Sequence, residues 1–268
     1  MPGVWDALSA RLAANAGFGV MFVSGYCVSG TALGLPDYGY LTQPEIAEAA
    51  RRVCTSVPDA AVVVDADTGY GNPLNVVRTV ALFESAGAAG MFLEDQVWPK
   101  RCGHMAGKQV VPREEWLGKL QAALDHRSNL FVVARTDARA AVGLDEAIGR
   151  AQAAAALGVD AVFVEAPESV EELEAVAAAV PGTVRVANMI EAGRTPLLTP
   201  AELHELGYDL IVSPLTGLFA VTRALRDVYG ILAREGTLRE DLDRIVGFDE
   251  FNAVVDLDRH HGIEERYR

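Results

Sequence analysis

Cysteine is scarce in this chain. Cys27, Cys54 and Cys102 are the only three in 268 residues. An odd trio cannot close a disulfide framework, and its spacing fits no zinc motif, so each is either a buried apolar side chain or a working thiol. No stretch of about 18 uncharged apolar residues occurs, which excludes a membrane-spanning helix. The start, Met1-Pro-Gly-Val-Trp-Asp6, shows no basic region followed by an apolar run. No signal peptide is read there, and a cytoplasmic setting is expected. Basic residues are in deficit, 23 against 37 acidic, for a formal charge of −14. Such a surface repels nucleic acid and anionic lipid, so neither is expected as a partner. Low-complexity tracts are absent and 50% of the residues are apolar, which excludes disorder. With no linker to divide it, the chain is expected to form one large domain over residues 1–268.

What is present is a repeated pattern: a short β-branched run, a turn, then an amphipathic helix. The runs are Gly19–Ser24, Ala61–Asp67, Gly90–Asp95, Leu130–Asp137, Ala161–Pro167, Val184–Met189 and Leu210–Pro214, with a weaker one at Gly3–Asp6. Near-continuous apolar strands such as Val62-Val-Val-Asp65 indicate burial on both faces, as in a parallel sheet. Thr42-Gln-Pro-Glu45, Ser169-Val-Glu-Glu172 and Thr199-Pro-Ala-Glu202 each read as a capping box. Asn72–Ala86 and Leu144–Leu157 have helical spacing and stop at Gly87 and Gly158. Eight strand–helix units in about 250 residues point to an α/β fold of the (β/α)8 barrel type. The rival, an open doubly wound sheet, lacks its Gly-x-Gly-x-x-Gly turn. Residues 216–268 hold more helix than the last barrel unit requires, enough for a C-terminal extension that packs on a neighbouring subunit or closes the barrel base.

In such a barrel the strand C-termini converge on one mouth. Here they supply Ser24-Gly-Tyr26, Asp65-Ala-Asp67, Glu94-Asp95, Arg135-Thr-Asp137, Glu165, Asn188 and Glu191. Asp65 and Asp67, read as two apart on a strand, are expected to share a face. Carboxylates closing a buried valine run need a partner, and a hard cation such as Mg²⁺ suits them, with Glu94 completing an oxygen shell. Asp37, in the turn Gly34-Leu-Pro-Asp-Tyr-Gly39, is a further candidate for that shell. Arg135 lies at the depth of these acids. It is placed either to clamp a substrate carboxylate with two bonds or to form an ion pair with Glu165 or Asp137.

The sharpest local feature is Pro99-Lys-Arg-Cys-Gly-His104. A thiol flanked by two cations and an imidazole should exchange a proton near neutrality. Gly103 gives the loop room to fold over a ligand, and with Gly107 the stretch reads as a lid carrying a general acid or base. Cys54, within a helix, reads as an inert core residue, and His260-His261 as a surface pair.

Together these residues resemble the isocitrate lyase/phosphoenolpyruvate mutase superfamily. The resemblance rests on Ser24-Gly-Tyr26, Leu35-Pro-Asp37, Asp65-Ala-Asp-Thr-Gly-Tyr-Gly71, Leu93-Glu-Asp-Gln96 and Lys100-Arg-Cys-Gly-His104, and runs from Asp6 to Asn252. It implies a barrel whose last helix swaps onto a partner within a dimer of dimers. The helix that the family usually places before the first strand has no counterpart ahead of Gly3. The resemblance further implies that Asp65 binds Mg²⁺ (or Mn²⁺) directly while Asp37, Asp67 and Glu94 hold its waters. Ser24, Gly25, Tyr26 and Gly103 would cradle a 2-oxo acid, and Arg135 and Asn188 would contact carboxylates. Glu165 and His104 would support them, and Cys102 would protonate the departing carbon. The Lys-Arg-Cys-Gly-His lid is the form that the lyases carry. Members acting on tricarboxylates have an Arg shortly after the eighth strand, whereas this chain reads Ser213-Pro-Leu-Thr-Gly-Leu-Phe219, apolar at that point. The expectation is therefore a carbon–carbon lyase cleaving an alkylmalate-like 2-hydroxy dicarboxylate. A phosphonomutase of the carboxyvinyl-carboxyphosphonate type and an oxaloacetate hydrolase are the alternatives.

Overall fold

The computed structural model describes residues 1–102 and 107–268. Gly103 and His104, two of the expected site residues, lie outside the described residues. In chain order the elements begin β1 (Gly3–Val4), α1 (Ala7–Asn15), β2 (Val20–Val23), α2 (Gly25–Val28) and a π-helical turn at Ser29–Leu33. Next come α3 (Gln43–Ser56), β3 (Ala61–Asp65), α4 (Pro73–Ala86), β4 (Gly90–Glu94), α5 (Arg113–His126) and β5 (Phe131–Thr136). They continue as α6 (Ala138–Ala141), α7 (Leu144–Leu157), β6 (Ala161–Val164), α8 (Val170–Ala179), β7 (Val184–Asn188), α9 (Pro200–Glu205) and β8 (Leu210–Val212). The chain ends with α10 (Thr216–Glu235), a 3₁₀ turn at Leu242–Arg244, α11 (Phe248–Val254) and α12 (Leu257–Arg266).

The eight strands are parallel and pair in sequence order. A parallel bridge between Pro2 and Ser213 brings the first and last strands together, so the sheet is a nearly closed (β/α)8 barrel. The valine runs are explained by two-sided burial. Val63 faces into the barrel with Phe22, Phe92, Val133, Phe163 and Val212, while Val62 and Val64 face the helices. Phe92 packs at a tilt between Phe22 and Phe163, with ring centroids 4.8 and 5.6 Å away. These rings fill the barrel beneath its mouth, and burying each contributes roughly 1.5–3 kcal/mol.

Helix starts follow the sequence with one exception. Thr42 with Glu45 and Thr199 with Glu202 form complete capping boxes. Ser169 accepts from the Glu172 amide, but the Glu172 carboxylate turns to the Glu168 amide and to Arg139, so that box is half made. The expected stops hold, since Gly87 and Gly158 take left-handed φ values of 89° and 93°. The strands end earlier than the sequence suggests. β3 stops at Asp65, and Asp67 lies beyond it with φ 45°, so the two acids do not share a strand face. Sheet pairing ends where the chain bends into the mouth, and Asp67, Gly69, Tyr70 and Gly71 all take positive φ in that bend. Among the described residues no helix is long and apolar enough to cross a membrane.

Candidate active site

A cavity of about 40 Å³ opens at the C-terminal mouth. That is room for a few water-sized groups, each needing about 10–15 Å³ by this measure. Ser24, Tyr26, Asp37, Asp65, Cys102, Arg135, Glu165 and Asn188 line it, over an apolar floor of Phe22, Phe92 and Phe163 and beside Ile190, Pro214 and Leu215. Eight residues singled out in the sequence are thus brought to one cavity from α2 and its cap, from β3 and β5, from the ends of β6 and β7, and from two loops.

Local structure explains each placement. Ser24 caps α2, its hydroxyl accepting from the Cys27 amide at 3.4 Å. The next amide, Gly25, donates to Asp65 Oδ2 at 3.3 Å, and a Cβ at Gly25 would lie 2.9 Å from that oxygen. Glycine there lets the backbone approach the carboxylate. The hydroxyl of Ser29 donates to the carbonyls of Leu35 and Pro36, fixing the turn that carries Asp37. Burial, with Cys102 and Asp37 nearby, raises the Tyr26 hydroxyl above its ordinary range.

Lys100 carries a pairing that the sequence did not reveal. Its side chain is 3% exposed, and its ammonium lies 2.7 Å from Asp37 Oδ1 and 2.8 Å from Asp67 Oδ1. Desolvation alone would lower its pKa, but Asp67, Asp37, Asp65 and Glu94 outweigh that and raise it well above normal. Asp67 is pushed up to about 7, chiefly by burial, which Lys100 offsets only in part. Asp67 and Glu94 stand behind the cavity wall, and the Glu94 amide donates to the Asp67 carbonyl at 2.9 Å. Burial also lifts Glu94 well above the usual carboxylate range, against the pull of Arg135.

Arg135 has both of the partners the sequence left open. Its Nε lies 2.9 Å from Asp137 and 3.3 Å from Glu94, and Nη2 lies 3.0 Å from Glu165. Asp137 also takes the ammonium of Lys108 at 2.6 Å. Burial alone would raise the Asp137 pKa, but Arg135 and Lys108 lower it overall. Asn188 donates through Nδ2 to Glu165 at 3.2 Å, while its buried Oδ1 has no hydrogen-bond partner among the described residues. Glu191 is not part of this cluster; at the rim it accepts from Thr216 Oγ1 at 2.5 Å. Cys27 is fully buried and donates to the Pro214 carbonyl at 3.2 Å, and burial pushes its pKa up to about 12. Cys54 is half-buried with its pKa raised to about 11 by burial, and His260 and His261 are exposed.

The sequence placed Asp95 and Thr136 at the mouth and Lys100 in the lid without their partners, and did not single out Lys108 or Arg150. Asp95 accepts from Thr136 Oγ1 at 2.6 Å, from the Asp137 amide at 2.8 Å and from Arg150 at 3.1 Å, locking the end of β5 to α7. Lys100 and Lys108 each neutralise acids far away in sequence, and no local pattern marks such pairs.

The donor set suits a hard divalent cation. Asp37, Asp65, Asp67, Glu94, Asp137 and Glu165 face three cations, Lys100, Lys108 and Arg135, an excess of three carboxylates. Among the described residues, Asp67 Oδ1 and both Glu94 oxygens are buried without a well-formed hydrogen bond, even though Lys100 and Arg135 lie within ion-pair range. Among the described residues no three acidic, histidine or cysteine side chains converge as a finished metal cage.

The fold and cavity define a barrel enzyme, and the comparisons give its family. The phosphoenolpyruvate phosphomutase family model matches residues 1–232, and the chain belongs to that family, within the isocitrate lyase/phosphoenolpyruvate mutase superfamily. It is an enzyme, and its relatives bear lyase and mutase names. The petal death protein of Dianthus caryophyllus is 52% identical over 270 residues, covering 100% of this chain and 85% of its own length. The chloroplastic carboxyvinyl-carboxyphosphonate phosphorylmutase of Arabidopsis thaliana is 52% identical over 272 residues, covering 100% and 80%. The 2,3-dimethylmalate lyase of Eubacterium barkeri is 42% identical over 270 residues, covering 99% and 92%. A solved 2,3-dimethylmalate lyase superposes with a TM-score of 0.94 at 34% identity, over 99% of this chain and 89% of that one. A phosphonopyruvate hydrolase solved with oxalate and Mg²⁺ superposes at 0.88 and 29% identity, over 99% and 93%.

Proposed function

We propose that this protein is a Mg²⁺-dependent carbon–carbon lyase that cleaves an alkylmalate-like 2-hydroxy dicarboxylate into a 2-oxo acid and a carboxylate. One observation carries the reading: a single small cavity is lined by Asp37 and Asp65 of the carboxylate cluster, the Cys102 thiol and an apolar wall at Ile190 and Leu215. A third substrate carboxylate would meet Leu215 rather than a cation, a costly burial. A methyl or ethyl group suits that wall.

Asp65 would hold the Mg²⁺ (or Mn²⁺) directly, with Asp37, Asp67 and Glu94 holding its waters. When bound, the ion supplies Lewis acidity and a template for the 2-hydroxy acid. Ser24, Gly25 and Tyr26 cradle the carboxylate that remains on the 2-oxo acid. Arg135, already aimed by Asp137 and Glu165, binds the second carboxylate. The 2-hydroxyl proton passes to a carboxylate oxygen of Asp37, which lines the cavity. The C2–C3 bond then breaks, its electron pair moving to C3 as C2 becomes a carbonyl. Cys102 Sγ gives its proton to C3, and the neighbouring carboxylate stabilises the carbanion until it does. Gly103 and His104 join this set as expectations carried by the resemblance alone.

The exposed apolar face of α10 (Phe219, Val221, Leu225, Tyr229) and the 88% exposed Phe248 support a homo-oligomer in which the C-terminal helices pack on a partner. The activity is tested with a panel of 2- and 3-alkylmalates, methylisocitrate, oxaloacetate and phosphonopyruvate, followed by proton NMR with Mg²⁺. Cleavage of alkylmalates is expected. Turnover of oxaloacetate or phosphonopyruvate alone would overturn the assignment.

A further inference from the structure

Gln96 is not used by the chemistry above, yet it is 1% exposed and lies two residues beyond β4. Its backbone joins the two arms of the loop that leaves β4 and returns to α5. Gln96 bridges Val110 in antiparallel fashion, the Val97 amide donates to the Gln109 carbonyl at 2.8 Å, and the Val111 amide donates to Asp95 at 2.8 Å. The side chain then reaches forward along the outgoing arm. Its Nε2 donates to the Arg101 carbonyl at 2.8 Å, and its Oε1 accepts from the Arg101 amide at 3.0 Å.

One buried side-chain amide therefore holds both backbone polar groups of a single residue, much as a neighbouring strand would. The pairing also fixes which end of the amide is oxygen. Arg101 shares its carbonyl peptide plane with the nitrogen of Cys102, so holding that carbonyl sets the direction in which Cys102 leaves the arm. On the other side Lys100 is held by Asp37 and Asp67. The two anchors differ in kind. The lysine depends on the charge state of the acidic cluster, whereas the Gln96 amide does not.

We infer that Gln96 is a positioning residue that aims the Cys102 thiol into the cavity. Resting as it does on the acid role given to Cys102 above, the inference is tested first by a readout that needs no turnover. Gln96→Met keeps the bulk of the side chain and removes both bonds. Gln96→Glu keeps the acceptor for the Arg101 amide and loses the donor. Iodoacetamide labelling of the metal-free enzyme, with peptide mass mapping to score Cys102 alone, is expected to run at least about threefold faster in Gln96→Met as the thiol swings out. Gln96→Glu should fall between it and the parent. Turnover of the best substrate should fall about tenfold or more in kcat, with KM changed by less than about threefold. In a Cys102→Ser background Gln96→Met should cost nothing further. An unchanged Cys102 labelling rate in a folded Gln96→Met variant overturns the assignment, whatever kcat does. If labelling changes while Cys102→Ser keeps full kcat, the positioning stands and the acid role falls.

Discussion

Replacing Arg135 by Met removes one guanidinium from three buried carboxylates. Asp137 keeps Lys108 at 2.6 Å, but Glu94 and Glu165, each 1% exposed, lose contacts of 3.3 and 3.0 Å. Breaking a buried pair from one side costs about 3–5 kcal/mol. At roughly 2–4 °C per kcal/mol for a chain of this size, the melting temperature should fall by about 6–20 °C. The pH dependence has a definite sign. Glu94 already sits well above its ordinary pKa, and losing the guanidinium raises it further. The folded variant then binds more protons at Glu94 than the folded parent does, so its deficit grows as pH rises. Thermal melts of both proteins between about pH 5 and about pH 8 provide the assay. Arg135→Lys retains a charge but cannot hold Asp137, Glu165 and a substrate carboxylate together. It should lose about 2–4 kcal/mol of transition-state binding, or roughly 30- to 1,000-fold in kcat/KM. A Met variant melting within about 2 °C of the parent at pH 8 would refute the ion-pair reasoning, and near-normal kcat/KM in the Lys variant would leave Arg135 with a structural role only.

Other outcomes follow from the same site. Asp65→Ala should abolish Mg²⁺ binding by calorimetry with an unchanged circular dichroism spectrum, while Asp67→Ala should weaken it less. Because burial holds Asp67 at about 7, cation binding at pH 6 should release protons, and the release should shrink by pH 8; calorimetry in buffers of different ionisation enthalpy measures this. Thiol alkylation should modify Cys102 and spare Cys27, which is buried and protonated, and substrate with Mg²⁺ should protect the enzyme. Against methylisocitrate the kcat/KM should be at least about 10² lower than against the best alkylmalate, reflecting roughly 3 kcal/mol for a carboxylate facing Leu215.

The barrel was legible because two-sided burial writes itself as unbroken valine runs, and even the two-residue β1 left its trace at Gly3–Val4. The residues at the mouth were legible because acids and an arginine stand at the ends of those runs. Directions were not. Lys100 is next to Cys102 but one in chain, yet its ammonium turns to Asp37, 63 residues away. Asp67 was read as continuing a strand, but the chain bends through positive φ first. Arg150, Thr136 and Asp95 form a three-element lock that only the packing of α7 against β5 creates. Alternation and spacing report which face of an element is buried; they carry no record of which distant partner a buried charge meets.

The most direct test of the central claim is turnover of 2,3-dimethylmalate with Mg²⁺ in D₂O, followed by NMR and mass spectrometry of both products. Cleavage between C2 and C3 with protonation by an exchangeable thiol should give pyruvate and propionate carrying one deuterium at the carbon next to its carboxylate, at least about 10²-fold more slowly in Cys102→Ser. If neither dimethylmalate nor any other alkylmalate yields a 2-oxo acid, or if Cys102→Ser forms deuterated propionate at the parent rate, the account of this site as a thiol-assisted lyase is contradicted.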